Sequence, residues 1–158
     1  MTALDRPIDR WFASYSGDHR NPRNQLIHVF CVPAILWSVI ALLWCIPSPA
    51  PMFAPGIWAG LAMLAAALFY LKQSRRLGLG MAALFLVLGV VTRLLYDALG
   101  PRDLAFLALA VFVVAWIGQF VGHKIEGAKQ SFLTDLTYLL IGPAWVLAKL
   151  YRRLGVAY

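Results

Sequence analysis

Three histidines are the residues of this chain best suited to chemistry. His19 stands in a polar segment ahead of the first long apolar run, and His28 follows Asn24 by four residues, so Asn24 and His28 share a helix face. Farther on, His123 follows Gln119 by four and precedes Glu126 by three, which makes one continuous stripe. Imidazoles with a carboxylate suit Fe(II), Zn(II) or Mn(II), and two histidines plus one carboxylate with open positions is the ligand pattern of non-haem iron oxygenases. The spacing matches neither HExxH nor the cysteine-rich zinc patterns. Cys31 and Cys45 lie fourteen residues apart in one apolar run. On a straight helix that is about 21 Å, too far for a disulfide.

The elements that must position these groups are set by composition. Of 158 residues, 61% are hydrophobic and 13% charged, against about 45–50% and about 25% in a soluble domain. With a mean hydropathy of +0.73, this excludes an ordinary soluble enzyme and predicts one membrane-embedded, all-α domain over residues 1–158. Apolar runs cover roughly 25–46, 57–72, 77–99 and 104–123, with a weaker fifth over 132–150. Pro47, Pro49, Pro51 and Pro55 punctuate the first connection, and Gly100-Pro101 the third. Ahead of them, Ile8, Trp11, Phe12 and Tyr15 recur at helical spacing. That predicts an amphipathic helix lying in the headgroup plane and ended by Ser16-Gly17. Asn21-Pro22 reads as a cap and first residue of the next helix. The N-terminus carries no signal-peptide pattern.

Charge sets the orientation. Of the 14 Lys and Arg, all but Arg93 and Arg102 precede the first run, separate the second from the third, or follow the fourth and fifth. Four crossings with both termini cytoplasmic satisfy that pattern, and it brings His28 and His123 to one side. The net charge of +7 thus reflects topology and anionic headgroups, with no nucleic-acid partner implied. The fifth run must then be re-entrant or interfacial, with a break at Gly142-Pro143. Asp135 within it argues against a lipid-facing span, since a carboxylate in hydrocarbon costs a few kcal/mol.

Other polar features have plainer readings. Arg93 and Asp97 form an i, i+4 pair at the far end of span three, Gly56-x3-Gly60 and Gly118-x3-Gly122 fit close helix packing, and Trp116 shares the His123 side of span four. A small transporter or metal-handling protein is the rival function, because intramembrane His and Glu also mark ion paths. Against it, the polar groups gather at one face and span two is almost wholly apolar.

The segment His19-Arg-Asn-Pro-Arg-Asn24-Gln-Leu-Ile-His28 with Pro33, the segment Gln119-Phe-Val-Gly-His123-Lys-Ile-Glu126-Gly, and Leu139-Leu-Ile-Gly-Pro143-Ala-Trp resemble a known family. They are similar to the small membrane 2-hydroxy-fatty-acid dioxygenases of the yeast phytosphingosine-degradation type and their bacterial relatives, over nearly the whole chain. Lys129-Gln130-Ser131 departs from the pattern where a proline is expected. The resemblance implies Fe(II)-dependent α-oxidation, in which a 2-hydroxy fatty acid and O2 give a fatty acid one carbon shorter. It also implies His19, His28 and His123 as ligands, with Glu126 either a fourth ligand or the carboxylate that orients His123. Asn24, Gln119 and Asp135 would support them around the cofactor. The short loops favour a bacterial inner membrane; a eukaryotic cell would hold such an enzyme in the endoplasmic reticulum.

Overall fold

A computed structural model describes residues 7–127 and 132–157, with the side chains of Asp18 and of residues 132–139 left aside. The described residues form five helices and no strands: α1 (Pro7–Asp18), α2 (Pro22–Trp44), α3 (Ile57–Gln73), α4 (Arg75–Glu126) and α5 (Phe132–Arg153). Lys129, Gln130 and Ser131 lie outside the described residues. Asp135 falls within α5, with its side chain outside them as well.

Local chemistry sets each start and stop. Asn21 caps α2 in extended geometry, its side chain accepting from the Arg23 N–H at 2.9 Å, and Pro22 fills the first helical position. Gly56 opens α3 at φ 86°, and a Cβ there would also fall within 2.8 Å of the Trp44 indole. Conformation and space both require glycine at that point. Gly60, by contrast, faces open space, so the Gly56-x3-Gly60 spacing is not a packing motif. Gly100, at φ 80° and ψ 168°, breaks the 52-residue α4 ahead of Pro101. Unbroken, α4 would run about 78 Å, more than twice the hydrocarbon thickness.

The break lets α4 fold back on its neighbours. Its first arm, 75–99, runs antiparallel to α3, with Gly78 against Leu71 and Gly89 against Met63. Its second arm, 101–126, runs antiparallel to α2: Leu104 and Ala108 pack on Ala41, Gly118 faces the Cys31 Sγ, and Gly122 faces the Asn24 side chain. The 118/122 glycines therefore do serve close packing. Gly122→Val, placed where a Cβ already meets the Asn24 carboxamide oxygen, is expected to cost about 1–3 kcal/mol. The measurement is thermal unfolding in detergent, and an unchanged Tm would mean that α2 and α4 do not meet there.

Two helices, α2 and α4, are long and apolar enough to cross a membrane, and α3 is a shorter apolar helix. Leu61, Leu64 and Leu68 of α3 are exposed, as are Leu86, Val90, Phe106, Val114 and Ile117 of α4. Water-soluble monomers rarely present so continuous an apolar surface, and lipid is its natural solvent.

Two expectations need correcting. The Ile8, Phe12 and Tyr15 face of α1 is buried within the protein, leaving only Trp11 of that stripe exposed at 43%. It packs on α5, where the Trp145 indole N–H donates to Ser16 Oγ at 2.9 Å and the Tyr15 and Trp145 rings lie 5.1 Å apart. Protein, not headgroups, covers that face, and α1 continues past Ser16-Gly17 to Asp18. The second correction concerns Gly142-Pro143, which does not interrupt α5. Gly142 sits against Val32 and the Tyr15 hydroxyl, where a Cβ would come within 3.3 to 3.4 Å. The small residue gives α5 a close crossing over α1 and α2 rather than a chain break.

Candidate metal centre

The three histidines come from three different settings and meet at one place. His19 belongs to the link 19–21 between α1 and α2, yet it is only 1% exposed. Its Nδ1 lies 2.7 Å from the Tyr15 carbonyl and its ring stacks on that of Tyr15, centroids 4.1 Å apart and planes 16° apart. His28, in the second turn of α2, is equally buried and has its Nδ1 2.9 Å from the Asn24 carbonyl. His123 closes the second arm of α4, where its Nδ1 is buried without a hydrogen-bond partner among the described residues. The His19 and His28 rings are 4.3 Å apart, His28 and His123 5.1 Å, and His19 and His123 5.5 Å. One nitrogen from each falls within 4.8 Å of the others.

This arrangement fits a metal ion by its donor chemistry. A carbonyl facing Nδ1 holds the imidazole proton there and leaves the lone pair on Nε2, which is how metal-bound histidines are usually oriented. His19 and His28 both have that support. The orphaned His123 Nδ1 is costly as a buried polar atom unless something absent from the polypeptide satisfies it. Three imidazoles suit iron, zinc, copper or nickel and leave further coordination positions open.

Glu126 lies one turn beyond, and its carboxylate is engaged elsewhere. It accepts from the Arg20 N–H at 2.8 Å, from the Asn21 N–H at 3.0 Å with both oxygens, and from the Asn24 Nδ2 at 3.0 Å. Burial pushes this carboxyl up, but the Asn24 amide, the two backbone N–H groups and His19 outweigh it and hold Glu126 below the usual carboxylate range. An anion at the start of α2 also complements the helix dipole. Glu126 thus ties the His19 link to the end of α4. It stands outside the three-histidine group and makes no hydrogen bond to the His123 Nδ1.

Asn24 joins both parts of the centre. Its backbone carbonyl faces His28, its amide nitrogen reaches Glu126, and its side chain abuts Gly122. Gln119 is buried one turn before His123. Trp116 instead builds a ring ladder along α4 with Phe112 and Phe120, at 6.0 and 5.7 Å. Arg93 Nε donates to Asp97 at 2.7 Å on a half-exposed surface, the local pair its spacing predicts.

Several residues around the centre were not singled out from the sequence. Tyr15 supports His19 through stacking and its carbonyl, and the i, i+4 spacing of Tyr15 and His19 was the available signal. Gln25 donates to the His19 carbonyl at 2.7 Å, and Lys149 donates to Gln25 Oε1 at 2.7 Å. Neither contact has a local sequence signature, since one end of each lies outside any shared helix.

Comparison with known proteins places this geometry in context. Residues 6–154 match the family described as 2-hydroxy-palmitic acid dioxygenase Mpo1-like. The 2-hydroxy-palmitic acid dioxygenase MPO1 of Saccharomyces cerevisiae is 30% identical over 146 residues, which cover 89% of this chain and 78% of the yeast protein. No solved structure matches the chain. A match that runs nearly the full length, with His19 and His28 near its start and His123 towards its end, leads to one assignment: the chain belongs to the Mpo1-like family.

Proposed function

We propose that this protein is a membrane-embedded, Fe(II)-dependent dioxygenase that converts a 2-hydroxy fatty acid and O2 to a fatty acid one carbon shorter, CO2 and water. The observation that carries the reading is the convergence of three buried imidazoles in a chain of a family named for that activity. His19, His28 and His123 would hold the iron, which when bound supplies the redox capacity for reaction with O2 and a Lewis acid for a 2-hydroxy carboxylate. In this reading Glu126 is a clamp on the ligand-bearing link and not a ligand.

The polypeptide contributes orientation and exclusion of water. The Tyr15 and Asn24 carbonyls fix which nitrogen of His19 and His28 bears the proton. Glu126 and Asn24 keep the link closed on α4. Tyr15 and Trp145, both buried, wall the His19 side with rings that water cannot replace. Four crossings, with α4 contributing two through its bend, would put this end of the bundle at the cytoplasmic interface, where Lys72, Arg75, Arg76, Lys124 and Arg152 cluster. The carboxylate of a membrane-dissolved acid could then reach the centre while its tail stays among apolar helices.

A transport path is not favoured. Buried Ser38 and Thr92 lie at intermediate depth, and each donates its hydroxyl to its own helix, to Ile35 and Leu88 at 2.8 and 2.7 Å. Such hydroxyls do not form a relay.

The direct test is anaerobic loading of detergent-purified protein with Fe(II), addition of 2-hydroxypalmitic acid and O2, and mass spectrometry of the acids. Metal- and O2-dependent appearance of the C15 acid is expected, and its absence from iron-loaded, folded protein would overturn the assignment. In the same assay Arg93→Ala is expected to stay within a few fold of wild type. Complete loss of turnover would put the reactive site at the other end of the bundle.

A further inference from the structure

We propose that Gln25 and Lys149 are a positioning pair that holds His19 in the metal centre and makes the centre depend on the docking of α5. This inference rests on the metal-centre reading above. His28 and His123 are carried by α2 and α4, whose backbone hydrogen bonds already fix them. His19 sits in the link 19–21, where no helix sets its backbone, so its position depends on side chains that reach it from elsewhere.

Gln25 engages the His19 main chain from α2. Its Nε2 donates to the His19 carbonyl at 2.7 Å while its Oε1 accepts from Lys149 Nζ at 2.7 Å. A carboxamide is nearly symmetric in shape, and an isolated one could turn its oxygen towards the carbonyl and repel it. An ammonium group can only donate, so Lys149 selects the orientation in which the nitrogen faces His19.

Lys149 is itself located by α5. Its Nζ lies 4.4 Å from the Trp145 ring centroid, in cation–π range. Trp145 is 2% exposed, is hydrogen-bonded to Ser16, and has its ring 6.2 Å from that of His19. A chain of contacts therefore runs from the docked α5 through Lys149 and Gln25 to the histidine that is least fixed by its own element.

The test is Co(II) titration of the full-length, metal-free protein, read by visible absorption, alongside thermal unfolding without metal. Gln25→Glu keeps an acceptor for Lys149 and removes the N–H donated to His19. Lys149→Met removes the ammonium and keeps an unbranched stem over Trp145. Each is expected to raise the Co(II) dissociation constant about tenfold, the low end for residues that orient metal ligands, and to alter the visible spectrum. The metal-free Tm should stay within a few degrees of wild type, and the double variant should be no weaker than the weaker-binding single one, because both act on one contact chain. If Gln25→Glu lowers the metal-free Tm, Lys149→Met alone reads the link. Unchanged Co(II) affinity and spectrum in both variants would overturn the positioning role while leaving the centre intact. Wild-type protein that binds no Co(II) would remove the centre and this role with it.

Discussion

His123→Ala is expected to abolish metal binding and turnover together while leaving the metal-free protein almost as stable as wild type. The reason lies in the bonding state of the ring. His123 Nδ1 is buried and has no hydrogen-bond partner among the described residues, so truncation removes an unsatisfied polar atom rather than a stabilising bond. What remains is the lost packing of one ring that is 8% exposed. The loss in metal affinity should exceed the 10–100-fold typical of residues that merely orient a ligand.

Two measurements separate this from unfolding. In wild type, Fe(II) or Co(II) at 100 times its dissociation constant should stabilise the fold by about 2.7 kcal/mol. In His123→Ala that increment should vanish with the metal-free Tm nearly unchanged. A variant that keeps full metal content would take His123 out of the ligand set. His28→Ala should behave alike in metal binding, with a larger stability cost because its ring is 1% exposed and hydrogen-bonded to Asn24.

The second large effect is expected at Glu126. Its carboxylate receives the Arg20 and Asn21 N–H groups and the Asn24 amide. Glu126→Ala would strand these donors at the one connection that carries His19. A fall of about 10–100-fold in metal affinity follows if the link loosens, with a loss of about 1–2 kcal/mol in stability, since water can reach part of the site. Glu126→Gln should lie between, because an amide offers one acceptor oxygen and turns its own N–H groups towards donors.

The pH dependence has a definite sign. The Glu126 carboxyl is held below its ordinary value of 4.5 in the folded protein. Its contribution is therefore complete above that value and disappears as pH falls through the lower, folded one. Wild type should lose stability in that acid window more steeply than Glu126→Gln. Parallel acid profiles of the two proteins would show that the clamp does not form.

Whatever follows from helix geometry was legible in the chain. Apolar periodicity marked α1 and apolar runs marked α2 to α5, Asn21-Pro22 marked the start of α2, and Gly100-Pro101 marked the bend in α4. The i, i+4 rule put Asn24 with His28, Gln119 with His123, and Arg93 with Asp97. These relations depend on a rise and a turn per residue that are the same in every α-helix, so sequence spacing alone carries them. The family resemblance, resting on motifs around the same residues, agrees with the family to which the chain belongs.

Tertiary structure decided which groups point where. Glu126 shares a stripe with His123, yet its carboxylate turns to backbone N–H groups more than 100 positions away, because desolvated donors at the start of α2 compete for it. The apolar face of α1 is covered by α5 and not left to headgroups, and Gly142-Pro143 permits a close crossing where a break was expected. His19 is buried in a three-residue link only because Tyr15, Gln25 and Glu126 reach that link from α1, α2 and α4. Local pattern encodes the neighbours a residue meets along its own helix, whereas these contacts arise when separate helices pack and their polar groups must find partners out of water. That requirement is met by the fold as a whole, so only the assembled bundle reveals it.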